Sequence, residues 1–166
     1  MISSETNFTG SPVSAVNHIA LMTAGLDRAV DFYQRVFGAE VLARAEGQPR
    51  KCFLKLTQDT NLHMFERPQA AARPTDDPFD EGSINHFALQ ARHPEAFIAI
   101  RAKLIADGRA TEAVYDAPGL YTMLATDPDG LLIEVLVPKQ PAWTPPFATE
   151  PFVGLGQPRR RGSSGG

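Results

Sequence analysis

The sequence has little of several things that would place it in a specialised class of protein. A single cysteine, Cys52, in 166 residues excludes an internal disulfide and favours a reducing compartment. No apolar run approaches the roughly 20 residues that span a bilayer. The net charge of −3 excludes a strongly basic binder of nucleic acid or of membrane surfaces. The N-terminus lacks the basic-then-apolar order of a signal peptide, so we expect a cytoplasmic protein that binds neither nucleic acid nor membrane.

What the sequence does contain is an internal repeat. Residues 17–21 read Asn-His-Ile-Ala-Leu, and residues 85–89 read Asn-His-Phe-Ala-Leu. Each segment is followed by apolar residues at helical spacing and then by a glycine, Gly38 or Gly108, suited to end a helix. The apolar positions are Ala29, Phe32, Tyr33, Val36 and Phe37 in the first copy and Phe97, Ile100, Leu104 and Ile105 in the second. Each copy therefore begins as a strand followed by a helix.

Three β-prone runs, separated by turn residues, follow each of the two glycines. The runs are 40–45, 51–57 and 62–67 in the first copy and 111–115, 121–126 and 131–137 in the second. The pattern predicts an α+β fold: two tandem βαβββ modules that form a curved half-barrel with the helices outside. The inner face of the sheets is then where a ligand would bind.

The remaining segments complete the organisation. We expect an N-terminal extension over 1–13, a first module over 14–68, a linker over 69–82, a second module over 83–139 and a C-terminal tail over 140–166. The linker is rich in Pro, Asp and Ala, and the tail ends in Arg-Arg-Arg-Gly-Ser-Ser-Gly-Gly. That ending is typical of a disordered, solvated segment.

Three polar side chains stand at strand positions that are costly without a partner. Strand alternation places Glu134 among apolar neighbours, where an ionised carboxylate must be paired or bound to a metal. A lone strand histidine is more often a core or surface residue than a ligand. His18 and His86, however, occupy equivalent positions in the repeat, which favours one shared cavity. Two imidazoles and a carboxylate suit a divalent first-row metal with open positions. His93, which precedes Pro94, is interpreted as an exposed residue at a helix start.

Three motifs within about residues 14–138 indicate a family: N-H-I-A-L followed by L-D-R-A-V-D-F-Y-Q-R-V-F-G-A-E, then I-N-H-F-A-L, then D-P-D-G-L-L-I-E-V. Together they resemble the vicinal oxygen chelate superfamily, which includes glyoxalase I, the fosfomycin- and bleomycin-resistance proteins and the extradiol dioxygenases. The resemblance implies metal ligands at His18, His63, His86 and Glu134. His63 stands where the family often has a carboxylate; another alignment of the turns would match Phe65, instead of His63, to Glu134.

The resemblance implies a metal-dependent enzyme whose small-molecule substrate chelates the metal through adjacent oxygens. His18, His86 and Glu134 match the triad of the extradiol dioxygenases. This favours an extradiol-dioxygenase-like reaction, and Fe²⁺ over Mn²⁺, Ni²⁺ or Zn²⁺. Two observations count against a standard ring-cleaving enzyme: two modules instead of the usual four, and Leu124 close to the position of a family tyrosine. Catalytic roles are expected for Glu134 and for His63, which is either a ligand or a general base.

Three alternatives stay open. They are a glyoxalase I-like lyase or isomerase, a fosfomycin-resistance-type transferase that would need cations such as Arg50, Lys51 or Lys55, and a metal-free drug-binding resistance protein. The residues expected to line the substrate site are Phe53, Phe65, Tyr121 and Met123, which suggests a partly aromatic or apolar ligand. We expect a homodimer, because each module exposes a sheet edge. The sequence leaves open whether the modules pair within one chain or between two.

Overall fold

The computed structural model describes residues 13–67 and 84–152. The first module contains β1 (His18–Thr23), α1 (Leu26–Phe37), β2 (Glu40–Ala45), β3 (Lys51–Lys55) and β4 (Asn61–Glu66). The second contains β5 (His86–Gln90), α2 (Pro94–Ala106), β6 (Tyr115–Ala117), β7 (Leu120–Thr126) and β8 (Leu132–Pro138), followed by β9 (Glu150–Pro151). The prediction of an α+β fold made of two βαβββ modules is confirmed. The predicted linker, almost all of the N-terminal extension and the end of the tail lie outside the described residues.

The two sheets have the same internal order. The first runs β1-β4-β3-β2 and the second β5-β8-β7-β6-β9, with β1 parallel to β4 and β5 parallel to β8. In the first sheet Ala20 pairs with His63, and in the second Ala88 pairs with Glu134. Because Ala20 and Ala88 each follow their module's histidine by two residues, His63 is the register equivalent of Glu134. The alternative alignment, which matched Phe65 to Glu134, is wrong.

Both helices form where the apolar spacing predicts them. The apolar face of α1 is buried, and Gly38 ends the helix in the left-handed conformation with a φ of 72°. His93 caps α2, where its side chain accepts a hydrogen bond of 3.3 Å from the Ala96 amide, and Pro94 occupies the first turn. The buried faces of the helices belong to one apolar core that includes residues of both modules. No helix among the described residues is long and apolar enough to cross a membrane.

The Asp-Pro-Asp-Gly turn of the second module, residues 127–130, is joined to the first module by hydrogen bonds and an ion pair. The Tyr33 hydroxyl on α1 donates to Asp127 Oδ2 at 3.2 Å. Asp129 accepts from the Ala24 amide at 3.2 Å and forms an ion pair with Arg28 at 2.6 Å. Gly130 turns the chain with a φ of 87°, a conformation that L side chains rarely adopt. These contacts join the modules outside their sheets.

Two parts of the second module differ from the sequence prediction. The strand expected over 111–115 begins at Tyr115. Between α2 and that strand, the one bridge found among the described residues joins Ala110 to Ala125. The start of the tail folds back onto the module: Trp143 contacts the Tyr121 ring with centroids 5.4 Å apart, and β9 pairs with β6. The tail prediction did not include this strand.

Candidate metal centre

The first module brings together His18 and His63, which we call the first half-site. Their rings stack with centroids 4.1 Å apart and planes 10° from parallel. His18 Nδ1 lies 3.0 Å from Asn17 Oδ1, which accepts its hydrogen. Burial, and secondarily the neighbouring His18, lower the pKa of His63. That shift favours the neutral ring, which has a lone pair available for a metal or a proton.

The second module brings together His86 and Glu134, the second half-site. His86 Nε2 lies 3.0 Å from Glu134 Oε2, and these side chains are 25% and 19% exposed. His86 Nδ1 lies 2.7 Å from Asn85 Oδ1. Because an amide oxygen cannot donate, Nδ1 carries a hydrogen, and Nε2 is the ring nitrogen that faces the carboxylate. Two such groups at 3.0 Å require a proton or a cation between them.

The other carboxylate oxygen of Glu134 is bound by a residue that sequence reasoning missed. Thr122 Oγ1 donates to Glu134 Oε1 at 2.6 Å. Thr122 is buried, with 2% of the residue exposed. Thr122 lies on β7, diagonal to Glu134, as the pairing of Leu124 with Glu134 shows. Alternation along one strand indicates a face but not the neighbour across the sheet, so only the β7–β8 register could have identified Thr122.

The four predicted ligands thus occur as two pairs. Within the described residues, no three side chains of His, Cys, Asp or Glu come close enough together to hold a metal ion. The sequence left open whether the modules pair within one chain or between two, and within the described residues of this chain the four stand as these two pairs. The face that carries the first half-site is open: His18 is exposed, and Met22 on the same strand face is 53% exposed.

The residues predicted to line the substrate site divide between the two faces. Phe53 contacts the His63 ring edge-to-face, with ring centroids 4.6 Å apart. The ring centroids of Phe53 and Phe65 lie 6.5 Å apart. Met123, by contrast, pairs with Val135 and is fully buried in the core. Tyr121 shares that opposite face and packs on the tail. Met123 and Tyr121 therefore do not line the face that carries Glu134, which corrects the prediction for both.

The cationic residues considered for a transferase are only partly available. Arg50 forms ion pairs with Glu46 at 2.7 Å, Asp27 at 3.1 Å and Glu66 at 3.4 Å. Its charge is therefore balanced by three carboxylates of the first module. Lys51 pairs with Phe65 across β3 and β4, which places it on the face of the first half-site.

Comparison with known proteins identifies the family of this arrangement. The sequence model of the Glyoxalase/Bleomycin resistance protein/Dioxygenase superfamily matches residues 15–135. A search of curated proteins finds no match. A lactoylglutathione lyase from Agrobacterium tumefaciens is 28% identical, with a TM-score of 0.56 over 76% of this chain and 95% of that chain.

Two further solved structures share the fold at lower identity. The glyoxylase/bleomycin resistance protein/dioxygenase domain from Frankia sp. EAN1pec is 18% identical, with a TM-score of 0.65 over 76% of this chain and 99% of that chain. The fosfomycin resistance protein FosX from Listeria monocytogenes, solved with Mn(II) and sulfate, is 20% identical. Its TM-score is 0.56 over 76% of this chain and 94% of that chain.

Proposed function

The chain belongs to the Glyoxalase/Bleomycin resistance protein/Dioxygenase superfamily, and we propose that it is a metal-dependent enzyme acting on a small molecule with adjacent oxygens. The observation that carries this proposal is the second half-site, where His86 Nε2 and Glu134 Oε2 lie 3.0 Å apart. The first half-site supports it, because His63 occupies the register equivalent of Glu134. Imidazole and carboxylate together form a donor set that fits a divalent first-row metal.

The missing donors of each half-site would come from a second copy of the chain. A divalent ion takes four or more donors, and each half-site offers two. We propose a homodimer in which the first half-site of one chain faces the second half-site of its partner. A two-fold axis then produces two identical sites. The exposure of His18 and Met22 supports this arrangement, since an open, partly apolar sheet face is a surface that a partner can cover.

The charge of the combined site favours an anionic ligand. Three neutral imidazoles and one carboxylate would leave a divalent ion with a net charge of about +1. When bound, the ion would stabilise negative charge on adjacent substrate oxygens as a Lewis acid, and Fe²⁺ suits this ligand set. Phe53 and Phe65 beside His63 supply an aromatic wall. A catecholate, which is anionic, bidentate and aromatic, satisfies both requirements.

We therefore propose extradiol-dioxygenase-like cleavage as the reaction. The ring carbon–carbon bond next to the diol would break, and each of its two carbons would receive one atom of O₂. The product would be a ring-opened aldehyde acid, and the substrate itself would supply the electrons, so no other reductant is required. In this chain His18, His86 and Glu134 would hold the ion. His63 would be either the fourth donor or the base that accepts a hydroxyl proton from the substrate; its lowered pKa suits both roles.

A glyoxalase I-like isomerisation is the second candidate. It is favoured by the 28% identity to a lactoylglutathione lyase. Such a reaction moves a proton between neighbouring carbons and needs a base near the metal. Glu134 accepts a hydrogen bond from Thr122, so His63 is the side chain in a position to act as that base.

The experiment begins with the metal content of protein purified without chelator. We expect a divalent metal bound in equal amounts to the chain, and its absence would leave the metal-free drug-binding alternative. Oxygen uptake by the Fe²⁺-loaded protein with a panel of catechols then tests the reaction. Isomerisation of a hemithioacetal without oxygen uptake would favour the second candidate. His63→Ala separates the two roles of that residue: loss of metal indicates a ligand, and retained metal with a lower rate indicates a base.

A further inference from the structure

The Glu134 carboxylate presents two unequal oxygens. Oε2 faces His86 Nε2 at 3.0 Å, whereas Oε1 accepts the Thr122 hydroxyl at 2.6 Å. A contact of that length is typical of a charge-assisted O–H···O⁻ bond. The Thr122 hydroxyl has a single hydrogen, and its other acceptor, the Val135 carbonyl, lies at 3.3 Å. The hydrogen is therefore committed to Oε1.

This arrangement is specific to the half of the protein that carries the carboxylate. Thr122 pairs with Leu136, two residues beyond Glu134. The register equivalent in the first module is Lys51, which pairs with Phe65, two residues beyond His63. A hydroxyl is thus present beside the carboxylate and absent beside the histidine that replaces it. The difference matches the chemistry of the two residues. A carboxylate has a second oxygen that a hydroxyl can hold, whereas the imidazole of His63 has no oxygen.

We propose that Thr122 is a positioning residue that restricts Glu134 to one coordinating oxygen, Oε2. This inference rests on the proposed function. Oε1 has a second lone pair, but binding a metal through it as well would weaken its bond with the buried hydroxyl, whose other acceptor is a carbonyl at 3.3 Å. Coordination through one oxygen keeps a position at the ion open for the second oxygen of a chelating ligand. Thr122 thus acts on specificity without touching the ligand.

The test uses the full chain with Zn²⁺ as the probe and infrared spectroscopy as a readout independent of activity. The separation between the antisymmetric and symmetric carboxylate stretches is wide for coordination through one oxygen and narrow for coordination through both. Difference spectra between the Zn²⁺-loaded and metal-free protein, compared with those of Glu134→Gln, identify the Glu134 bands. We expect the wide separation in the wild-type protein. A narrow separation there would overturn the proposal without any Thr122 variant.

Variants at Thr122 then test its role. Thr122→Val keeps the shape and removes the hydroxyl, whereas Thr122→Ser keeps the hydroxyl. We expect Thr122→Val to narrow the band separation and to weaken Zn²⁺ binding, measured by calorimetry, by about tenfold or more. Thr122→Ser should stay close to wild type in both measurements. Thr126→Val is the matched control, because Thr126 lies on the same face of β7 without a bond to Glu134, and it should change neither.

The outcomes separate the two proposals. If Thr122→Val behaves like Thr126→Val, the positioning role is wrong while the metal site stands. If the wild-type protein binds neither Zn²⁺ nor any other divalent metal, the proposed function itself fails and the role of Thr122 fails with it.

Discussion

The Tyr33 hydroxyl donates a hydrogen bond of 3.2 Å to the Asp127 carboxylate, and both side chains are buried where the two modules meet. Asp127 Oδ1 accepts in addition from the amides of Asp129 and Leu131, at 2.8 and 2.9 Å. One carboxylate therefore both closes its own turn and joins that turn to the helix of the other module. The junction depends on a polar pair at the edge of the apolar core.

Removal of the Tyr33 hydroxyl should destabilise the protein. Tyr33→Phe leaves Asp127 Oδ2 buried without its partner, which costs about 1–3 kcal/mol in the free energy of unfolding. Urea denaturation followed by circular dichroism measures the change. Tyr115→Phe is the control, because no hydrogen bond of that hydroxyl is found among the described residues, and it should change stability by less than about 0.5 kcal/mol. Equal effects of the two substitutions would contradict the role of the Tyr33–Asp127 bond.

The stability of the protein should depend on pH through Asp127. Burial raises the pKa of this carboxyl above its usual value of 3.8, although the amides of Leu131 and Asp129 act in the opposite direction. The folded state then binds the proton more tightly than the unfolded state. The Asp127 contribution is therefore most favourable below pH 3.8 and declines as pH rises through the raised pKa.

The comparison of wild type with Asp127→Asn isolates this dependence. The free energy of unfolding of each protein is measured by urea titration at a series of pH values from 3 to 7. We expect the wild-type value minus the variant value to decrease with rising pH and then to level off. A difference that increases over the same range would mean that the hydrogen bonds to the carboxylate outweigh its burial.

Truncation of a core aromatic residue should cost much more than truncation of a surface one. Phe97 on α2 is fully buried, and Phe97→Ala should lower the free energy of unfolding by about 3–5 kcal/mol through lost contacts and a cavity. Phe152→Ala is the matched control, because Phe152 is 39% exposed. The free energy of unfolding should depend on denaturant concentration with the same slope in wild type, Phe97→Ala and Phe152→Ala. Equal slopes would show that the substitutions changed stability alone. A Phe97→Ala effect as small as that of Phe152→Ala would contradict the assignment of the core.

Mixed variants test whether the half-sites combine across two chains. One variant carries His18→Ala and His63→Ala, and the other carries His86→Ala and Glu134→Ala. Neither should bind metal alone. After they are unfolded together and refolded, each mixed dimer contains one complete site and one without ligands. Random association then restores about a quarter of the wild-type metal content per chain. Pairing of the half-sites within one chain predicts no recovery.

The repeat made the fold and much of the candidate site predictable. Equivalent Asn-His segments identified β1 and β5, and the apolar position of Glu134 identified it as a polar residue that needs a partner. The structure places Glu134 beside His86 and His63 beside His18, as pairs on adjacent strands. The repeat and strand alternation indicated His18, His86 and Glu134, whereas His63 was predicted through the family resemblance.

What could not be predicted depends on contacts between distant segments. Met123 was assigned to the wrong face because alternation within β7 does not reveal which of its faces aligns with Glu134 on β8. The residues before Tyr115 have β-prone composition but make a single bridge at Ala110, since strand formation requires a neighbour and not propensity alone. The pairing of β9 with β6 joins segments whose sequences give no mutual signal.

The short β9 also has a consequence for the association of the protein with itself. It lies outside β6 at the margin of the second sheet, and its second residue, Pro151, has no amide hydrogen to offer another strand. That edge is therefore poorly suited to pair with a strand of another molecule, which is the step that begins aggregation. In the first sheet β2 holds the corresponding outer place with no covering strand among the described residues. Of these two corresponding margins, the one formed by β2 is therefore more open to such growth.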